Sequence, residues 1–394
     1  MQNIIIFSHL NVARMFRIMN KRSDLTAVLL VLFGVSVLVG CQPKRVNSEE
    51  VDFSLIPKAQ ATPVKSDNKE PITIAAVGDI MLGSTSIDET FLPPNDGRDM
   101  LKEFTPILSA ADIAFGNLEG PMLEGGKNEK CPPESKRCFA FRVPPRYGKY
   151  LKEAGFDVLS LANNHAADFG DEGRISTRKV LDELGIKHAG SDRAQFSTAY
   201  LDVKGKKVAF IGFAHNNIVP NVNDLSFARQ LVTEADRKAD LVVVSFHGGS
   251  EGEKAQNVPR ATEMLGTEKR GNLPLFARAV IDAGADLVLG HGPHVLRGME
   301  IYKDRLVVYS MGNFATYGMF NLKGPQGLNA VFEIEIAADG KFLGGKIHAG
   351  RQEGRGIPVL DKTGAAISKV RALSQSDFAA TAPRIDSDGT ISPK

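Results

Sequence analysis

The sequence predicts an α/β protein in which strands and helices alternate along the chain. Seven apolar, β-branched runs have the length and composition of buried strands, and they lie at 72–80, 112–120, 156–165, 207–215, 240–249, 286–295 and 305–314. Helix-like segments separate several of them, at 98–110, 147–155, 174–185 and 271–285. The last three end at glycines, which commonly follow a helix C-terminus. Alternation of this kind is typical of a layered α/β domain.

The pattern changes after residue 325, where two alternating runs flank Asp339 and Gly340. An Asp-Gly pair in this position favours a tight antiparallel hairpin, which we expect at an edge of the sheet. A TIM barrel also places ligands at strand ends. The terminal hairpin and the irregular helices favour an open, layered sheet instead.

The N-terminus has the organisation of a bacterial signal peptide. Lys21 and Arg22 precede an apolar run, LTAVLLVLFGVSVLVG, that ends directly at Cys41. Residues 38–41 read Leu-Val-Gly-Cys and resemble the lipobox of bacterial lipoproteins, in which the cysteine is lipidated. A plain membrane anchor is the alternative, although about 16 residues is short for a span.

These features predict the location and division of the chain. The predicted segments are a signal peptide (1–40), a flexible polar tether (41–70), one folded domain (71–365) and a largely disordered C-terminal tail (366–394). We expect an extracytoplasmic lipoprotein that is anchored to the membrane through Cys41. Gln42 after that cysteine favours the outer membrane if the host is Gram-negative.

The charge balance lacks the basic excess that nucleic-acid binding requires. The full chain has 48 basic and 46 acidic residues, and removal of residues 1–40 leaves 44 basic against 45 acidic. Nucleic-acid-binding domains have a clustered surplus of Lys and Arg. We therefore expect no nucleic-acid partner, whereas a local site for an anionic ligand is compatible with this balance.

Two cysteines remain once Cys41 is lipidated, and both lie in the segment CPPESKRC. Cys131 and Cys138 are close enough in sequence to form a disulfide, and an extracytoplasmic location would permit one. Two free thiols are the alternative. The C-x2-C spacing of a zinc ribbon is absent.

Polar side chains occupy the carboxyl ends of the predicted strands. The group includes five of the eight histidines, and its members are Asp79, Asn117, Glu119, Asn164, His165, His215, His247, His291, His294 and Asn313. Strands often end in Asn or Asp simply to begin a turn, which explains Asn117 and Asn313 well but the histidines poorly. Because ligands bind at the carboxyl edge of such sheets, we expect these side chains to converge.

The chemistry of this group favours a metal site. Carboxylate, amide and imidazole donors without thiolate suit Mn, Fe or Zn, and the predicted ligands are Asp79, Glu119, Asn164, His247, His291 and His294. We predict one or two divalent ions. Two ions about 3.5–4 Å apart would clamp a phosphoryl group and activate water. A metal-free polar cleft is the alternative.

Six ordered motifs over residues 72 to about 320 resemble the capsule-biosynthesis CapA family, which is associated with poly-γ-glutamate synthesis or export. The motifs read AAVGDIMLG, GNLEGP, SLANNHAADFG, VVVSFHGG, GHGPHVLRGME and YSMGNF. The resemblance implies the fold of calcineurin-like metallophosphoesterases, a layered α-β-β-α sandwich with mixed sheets. It also implies that Asp79 and the later histidines bind metal, that Asn164 bridges the ions and that His165 is a general acid.

The chain departs from the metallophosphoesterase motifs at three places. Met81 stands where the first motif has a histidine, and Asn117 stands where the second motif has an aspartate. Gly292 and Pro293 separate two histidines that have a single residue between them in the last motif of those enzymes. One ion could therefore have fewer ligands than in the related enzymes.

Four further residues are assigned supporting positions. Glu300 and Asn313 are predicted to shape the site. His215 is predicted to line the cleft, and Asp168 to shape the turn after His165.

Two functions are consistent with this pattern. The first is a metal-dependent hydrolase of a phosphate ester or an anionic cell-envelope polymer, in which His165 protonates the leaving group. The second is a non-catalytic accessory lipoprotein that binds a polyanion such as poly-γ-glutamate. Membrane synthase or export proteins are the expected partners. A resemblance in fold does not choose the substrate.

Overall fold

The computed structural model describes residues 69–132, 135 and 138–394. The predicted signal peptide, Cys41 and nearly all of the tether lie outside these residues. Within the described part of the chain, no helix combines the length and the hydropathy of a membrane span.

Strands dominate the described residues, and we number them β1 to β18 in chain order. Their bounds are Ile72–Met81, Ile113–Leu118, Val158–Ser160, Lys187–Ala189, Thr198–Val203, Lys206–Ala214, Leu241–His247, Glu263–Leu265, Glu268–Gly271, Leu287–His291, Met299–Tyr302, Arg305–Val308, Asn313–Thr316, Leu328–Ile336, Phe342–Glu353, Ile357–Leu360, Arg384–Ile385 and Thr390–Ser392. All seven predicted strand regions contain a strand.

The α-helices among the described residues are numbered α1 to α6. Their bounds are Thr105–Leu108, Gly148–Glu153, Gly170–Glu183, Leu225–Asp236, Leu273–Asp282 and Ala365–Phe378. The helix predicted over 98–110 is reduced to the single turn α1. Helix α4 was not predicted, although Asp224 caps its N-terminus by accepting a hydrogen bond from the backbone N–H of Phe227.

Most strands form two mixed sheets, here called sheet I and sheet II. Sheet I has the order β17-β18-β15-β14-β1-β2-β3-β4, with β13 added beside β1 and β16 beside β15. Sheet II has the order β11-β12-β10-β7-β6-β5. Neighbours from β1 to β4 are parallel, as are β6, β7, β10 and β12. Two separate sheets exclude the TIM barrel.

Side-chain alternation along the central strands produces four layers. On β1, Ile74 and Ala76 belong to an apolar cluster that also contains the inward-facing residues of sheet II. Ala75 and Val77 point the other way and pack with residues of α1, α2 and α3. Residues of α4 and α5 cover the opposite face of sheet II. The predicted α-β-β-α sandwich is therefore confirmed.

The predicted hairpin is present as β14 and β15, but it does not form an edge of the sheet. Strand β14 pairs antiparallel with β1, where Phe332 lies opposite Ala76, and β15 pairs with β18 further out. The C-terminal strands therefore form that edge of sheet I.

The expectation of a disordered tail at 366–394 is wrong. Helix α6 buries Val370 and Phe378 in the two apolar clusters that sheet II contacts. Strand β18 buries Ile391 opposite Gly345 of β15. The composition of the tail is polar, but its few apolar residues are spaced so that they face the core.

Candidate metal centre

The carboxyl ends of four parallel strands bring the predicted ligands together. In sheet I, Asp79 near the end of β1 lies opposite Asn117 of β2. In sheet II, His247 at the end of β7 lies opposite His291 at the end of β10. The two sheets meet here, since Nδ1 of His291 is 3.7 Å from Oδ1 of Asp79. The convergence predicted from the strand ends is therefore present.

A close approach of two backbone segments fixes the position of Asp79. Its N–H donates to the carbonyl of Gly312 at 2.9 Å, just before β13, and the register pairs Asp79 with Asn313. A Cβ at position 78 would lie 1.8 Å from the Gly312 oxygen. Only glycine at position 78 permits this contact, so the Gly-Asp pair at the end of β1 has a structural cause.

The first group of potential ligands comprises Asp79, His247 and His291, all with no exposed surface. One donor atom from each lies within 4.8 Å of the other two. The Nδ1 atoms of His247 and His291 face each other at 3.1 Å, and the hydroxyl of Ser245 lies 2.8 Å from Nε2 of His291. Ser245 thereby orients the other ring nitrogen of His291 toward Asp79.

The second group comprises Asp79, Glu119 and His294, whose donor atoms also lie within 4.8 Å of one another. Nδ1 of His294 is 3.0 Å from Oδ2 of Asp79 and 3.0 Å from Oδ1 of Asn313. His294 has a φ of 59°, a left-handed conformation that is uncommon for histidine. Asp79 directs one oxygen toward each group, which is the arrangement of a shared ligand.

Several buried donor atoms of this cluster lack a hydrogen-bond partner among the described residues. They are both carboxylate oxygens of Glu119 and Nε2 of His247, and Oδ1 of Asn164, the residue before His165, is a further buried atom without one. Buried polar atoms are nearly always satisfied, so these need an explanation. A divalent cation supplies one, because carboxylate, amide and imidazole donors match Mn, Fe or Zn. The donor atoms present thus fit the predicted divalent ion, Mn, Fe or Zn.

Burial and mutual charge perturb the ionisable groups of the cluster. Burial and the neighbouring Asp79 raise the pKa of Glu119 well above its usual value. Burial lowers the pKa of His247 and brings that of His291 to about 4, so both rings are neutral, the form that binds metal. Burial opposes the charging of His294, but Glu119 and Asp79 outweigh it and raise its pKa to about 10.

His165 is held at the edge of the cluster by groups that orient its ring. Its Nδ1 is 2.7 Å from Oδ2 of Asp168, and its Nε2 is 3.9 Å from Oε1 of Glu119. The ring stacks on Phe141 with 3.9 Å between centroids. Burial lowers the pKa of His165, against the pull of Asp168. Asp168 therefore does more than shape a turn, since it orients the ring whose Nε2 faces the cluster.

Asn163 belongs to the site although the sequence did not indicate it. Its amide nitrogen donates to Oδ1 of Asn117 at 3.1 Å, and its amide oxygen accepts the backbone N–H of His165 at 3.0 Å. Asn117 in turn donates to Oδ1 of Asp79 at 2.8 Å. The doubled asparagine before His165 was the available signal, and only Asn164 was assigned.

Three other predictions have different outcomes. Asn313 contacts His294 directly, as a site-shaping residue would. Glu300 does not contact the cluster, because its buried carboxylate binds Arg278, Tyr309 and Thr381. His215 lies beside the cluster, since the centroid of its ring is 6.1 Å from the centroid of the His247 ring.

Position 81, where metallophosphoesterases have a histidine, contributes nothing to the cluster. Met81 is fully buried and packs in the apolar layer between sheet I and its helices. Cys131 and Cys138 are not ligands of the cluster, and they form the predicted disulfide.

The sequence matches the model of the bacterial capsule synthesis protein PGA_cap family over residues 73–317. The chain is 32% identical over 271 residues to capsule biosynthesis protein CapA of Bacillus anthracis, covering 64% of this chain and 61% of the relative. It is 32% identical over 273 residues to PGA biosynthesis protein CapA of Bacillus subtilis, covering 65% and 66%. The match thus spans less than two thirds of each relative.

A distant structural likeness accompanies these matches. The calcineurin-like phosphoesterase YfkN of Bacillus subtilis aligns with a TM-score of 0.41 and 12% identity, over 78% of this chain and 98% of that one.

Proposed function

Since the chain belongs to the bacterial capsule synthesis protein family PGA_cap, we propose that it acts at the cell surface in the synthesis or export of an anionic polymer of the poly-γ-glutamate type. We further propose that its cleft is a divalent metal centre with hydrolase activity on a phosphate ester or on the polymer. The observation that supports this is the set of buried, unpartnered donors on Glu119, Asn164 and His247.

Six residues would hold the metal. Asp79 is shared between the two groups, His247 and His291 complete one, Glu119 and His294 complete the other, and Asn164 adds an amide oxygen. A bound divalent ion would supply a Lewis acid and lower the pKa of water.

The remaining site residues bind, orient or move protons. His165 presents Nε2 toward the cluster and would deliver a proton to the leaving group, while Asp168 holds its other nitrogen at 2.7 Å. Phe141 stacks on the ring of His165 and excludes water from that face. Asn117 and Asn163 hold Asp79 and the backbone of His165 in one hydrogen-bonded chain.

A metal-assisted accessory protein without turnover is the second candidate. Met81 replaces a histidine of the enzyme motif and is committed to the core, so one ion has fewer ligands available. In this version the cluster would anchor the carboxylates of a polyanion electrostatically, and membrane synthase or export proteins would perform the chemistry.

The location at the cell surface rests on the N-terminal sequence. We propose removal of residues 1–40, lipidation of Cys41 and retention on the outer membrane if the host is Gram-negative. The wild type should incorporate a labelled fatty acid and Cys41→Ser should not, whereas replacing Cys131 and Cys138 should leave incorporation unchanged. A wild type that incorporates no fatty acid would exclude the lipid anchor.

The hydrolase is tested with the full chain purified in detergent and reconstituted with Mn. Phosphomonoesters, phosphodiesters and poly-γ-glutamate serve as substrates for the wild type and for His165→Gln. The hydrolase predicts turnover that falls at least about 100-fold in the variant, with the metal content unchanged. Bound metal and polymer binding without turnover would support the accessory protein instead.

A further inference from the structure

Lys130 contacts the predicted general acid, although no motif assigns it a role. Its Nζ lies 3.0 Å from Nδ1 of His165 and 3.0 Å from Oδ1 of Asp168, and it donates to the carbonyl of Asn164 at 3.1 Å. The Asn164 carbonyl accepts a hydrogen bond from the ammonium and Asp168 is its ion-pair partner, whereas Nδ1 of His165, which bonds Oδ2 of Asp168, is a close neighbour of the ammonium. Because Asp168 has no exposed side-chain surface, this ion pair is shielded on one side, unlike an ordinary surface pair.

The backbone around Lys130 is fixed by contacts on both sides. The side-chain oxygen of Asn128 accepts the N–H groups of Lys130 and Cys131 at 3.1 and 3.0 Å. The N–H of Glu129 donates to the carbonyl of Asp168 at 2.9 Å. The segment is thus attached to the same stretch of chain that carries His165.

The disulfide joins two segments that both contact the His165 ring. Cys131 directly follows Lys130, and its partner Cys138 lies three residues before Phe141. Lys130 approaches the edge of the ring, and Phe141 stacks on its face. Cys131 also packs against Leu123, Ala140 and Phe169. The crosslink therefore ties together the edge contact and the face contact of one imidazole.

We infer that Lys130 is a positioning residue for His165, and that the Cys131–Cys138 disulfide holds Lys130 and Phe141 in place against its ring. This inference rests on the proposed function only in giving His165 a chemical role. Lys130 neutralises the carboxylate of Asp168, which orients His165, and it covers the solvent side of the Asp168–His165 pair. Formation of the disulfide outside the cytoplasm would complete the arrangement where the substrate polymer is found.

The test compares four variants of the full chain with the wild type, and His165→Gln serves for assignment. Lys130→Met removes the ammonium, Lys130→Arg keeps a cation, and Lys127→Met is the matched control in the same exposed segment. The Cys131→Ser/Cys138→Ser double variant opens the crosslink without leaving a single thiol. The main readout is the NMR spectrum of the histidine ring nitrogens, with His165 assigned by its loss in His165→Gln, and metal content and turnover are measured beside it.

The inference predicts that Lys130→Met shifts or broadens the ring signals of His165 and lowers kcat about 10-fold through misplacement of the ring. Metal content and KM should not change, Lys130→Arg should restore most of the signal, and Lys127→Met should match the wild type. The double cysteine variant should change the same signals in the same direction.

Unchanged His165 signals in folded Lys130→Met would overturn the inference whatever the turnover. If the double cysteine variant does not fold, Lys130→Met and Lys130→Arg decide alone. Absence of turnover in the wild type would count against the hydrolase and leave the ring measurement valid, so the two failures are distinguishable.

Discussion

Two buried charged clusters in this protein differ in how completely their polar atoms are paired. Arg297 and Glu263 form one, in which the guanidinium meets both carboxylate oxygens at 2.8 and 2.7 Å and the Ala255 carbonyl at 2.7 Å. Asp79 and Glu119 belong to the other, where neither oxygen of Glu119 has a hydrogen-bond partner among the described residues. Both clusters are buried, so burial alone does not identify a site.

The difference indicates which cluster stabilises the fold and which binds a ligand. A buried charge is costly unless it is paired, and the Arg297 cluster meets that requirement internally. The Asp79 cluster does not, so its cost persists in the free protein, and a bound cation would relieve it. Among the described residues, the buried carboxylate oxygens without a hydrogen-bond partner belong to Glu119 and Asp168 at this site, and the two clusters should respond oppositely to substitution.

Breaking the paired cluster should have the largest effect. Arg297→Met leaves Glu263 buried without its cation and should lower the free energy of unfolding by about 3–5 kcal/mol, as measured by chemical denaturation. Metal content per folded chain should not change. Arg351→Met, which removes an exposed cation paired with Glu353 and Asp361, is the control and should cost much less. Equal effects of the two substitutions would contradict the comparison.

Removing the shared ligand Asp79 should have the second-largest effect. Asp79→Asn takes the carboxylate from both potential metal groups and should weaken metal binding at least about 100-fold, since loss of mere supporting contacts costs 10–100-fold. Competition with a chelating dye measures this affinity. Asp96→Asn, in an exposed pair with Arg146, should bind metal like the wild type. Wild-type affinity in Asp79→Asn would refute the shared-ligand arrangement.

Loss of a supporting hydrogen bond should have a smaller effect. Ser245→Ala frees Nε2 of His291 from its partner at 2.8 Å and should weaken metal binding about 10-fold. Ser374→Ala removes a buried serine that bonds the Val370 carbonyl away from the cluster, and the same titration should detect no change in it. If both substitutions weaken binding equally, Ser245 has no specific effect on His291.

The substitution with the smallest expected effect, at Glu119, should raise the stability of the protein instead of lowering it. Glu119→Gln replaces a buried carboxyl group whose charged form is disfavoured by burial and Asp79 and whose oxygens lack hydrogen bonds, so the metal-free protein should become more stable by about 1 kcal/mol. Thermal and chemical unfolding in the presence of a chelator measure this change. Glu263→Gln is the matched control, and it should destabilise because it breaks the pair with Arg297. Destabilisation of the metal-free protein by Glu119→Gln would mean that this carboxylate is paired after all.

Strand periodicity predicted the alternating α/β elements and most of the cluster, whereas the four-layer sandwich was implied by the resemblance to the metallophosphoesterases. Histidines and carboxylates at the ends of parallel strands must meet at one edge, which is how Asp79 and His294 come within 3.0 Å although 215 residues separate them. The assignment of Glu300 failed because its position after the last histidine motif says nothing about the direction of its side chain.

Contacts between irregular segments could not be predicted in the same way. Lys130 and Asp168 lie in segments without strand or helix periodicity, so no pattern indicates that they meet. The C-terminal tail was predicted to be disordered from its polar composition. The spacing of Val370 and Phe378 is nevertheless that of a buried helix face. Helices and strands can be predicted from the periodicity of a single sequence, whereas contacts between loops depend on the completed fold.

The central claim is that the unpaired donors around Asp79 form a divalent metal site. Elemental analysis of the full chain, after incubation with Mn, Fe or Zn and removal of excess ion, tests it most directly. The predicted result is at least one ion per chain in the wild type, with loss in Asp79→Asn and retention in Arg297→Met that remains folded. A wild-type chain that retains none of these ions would contradict the claim.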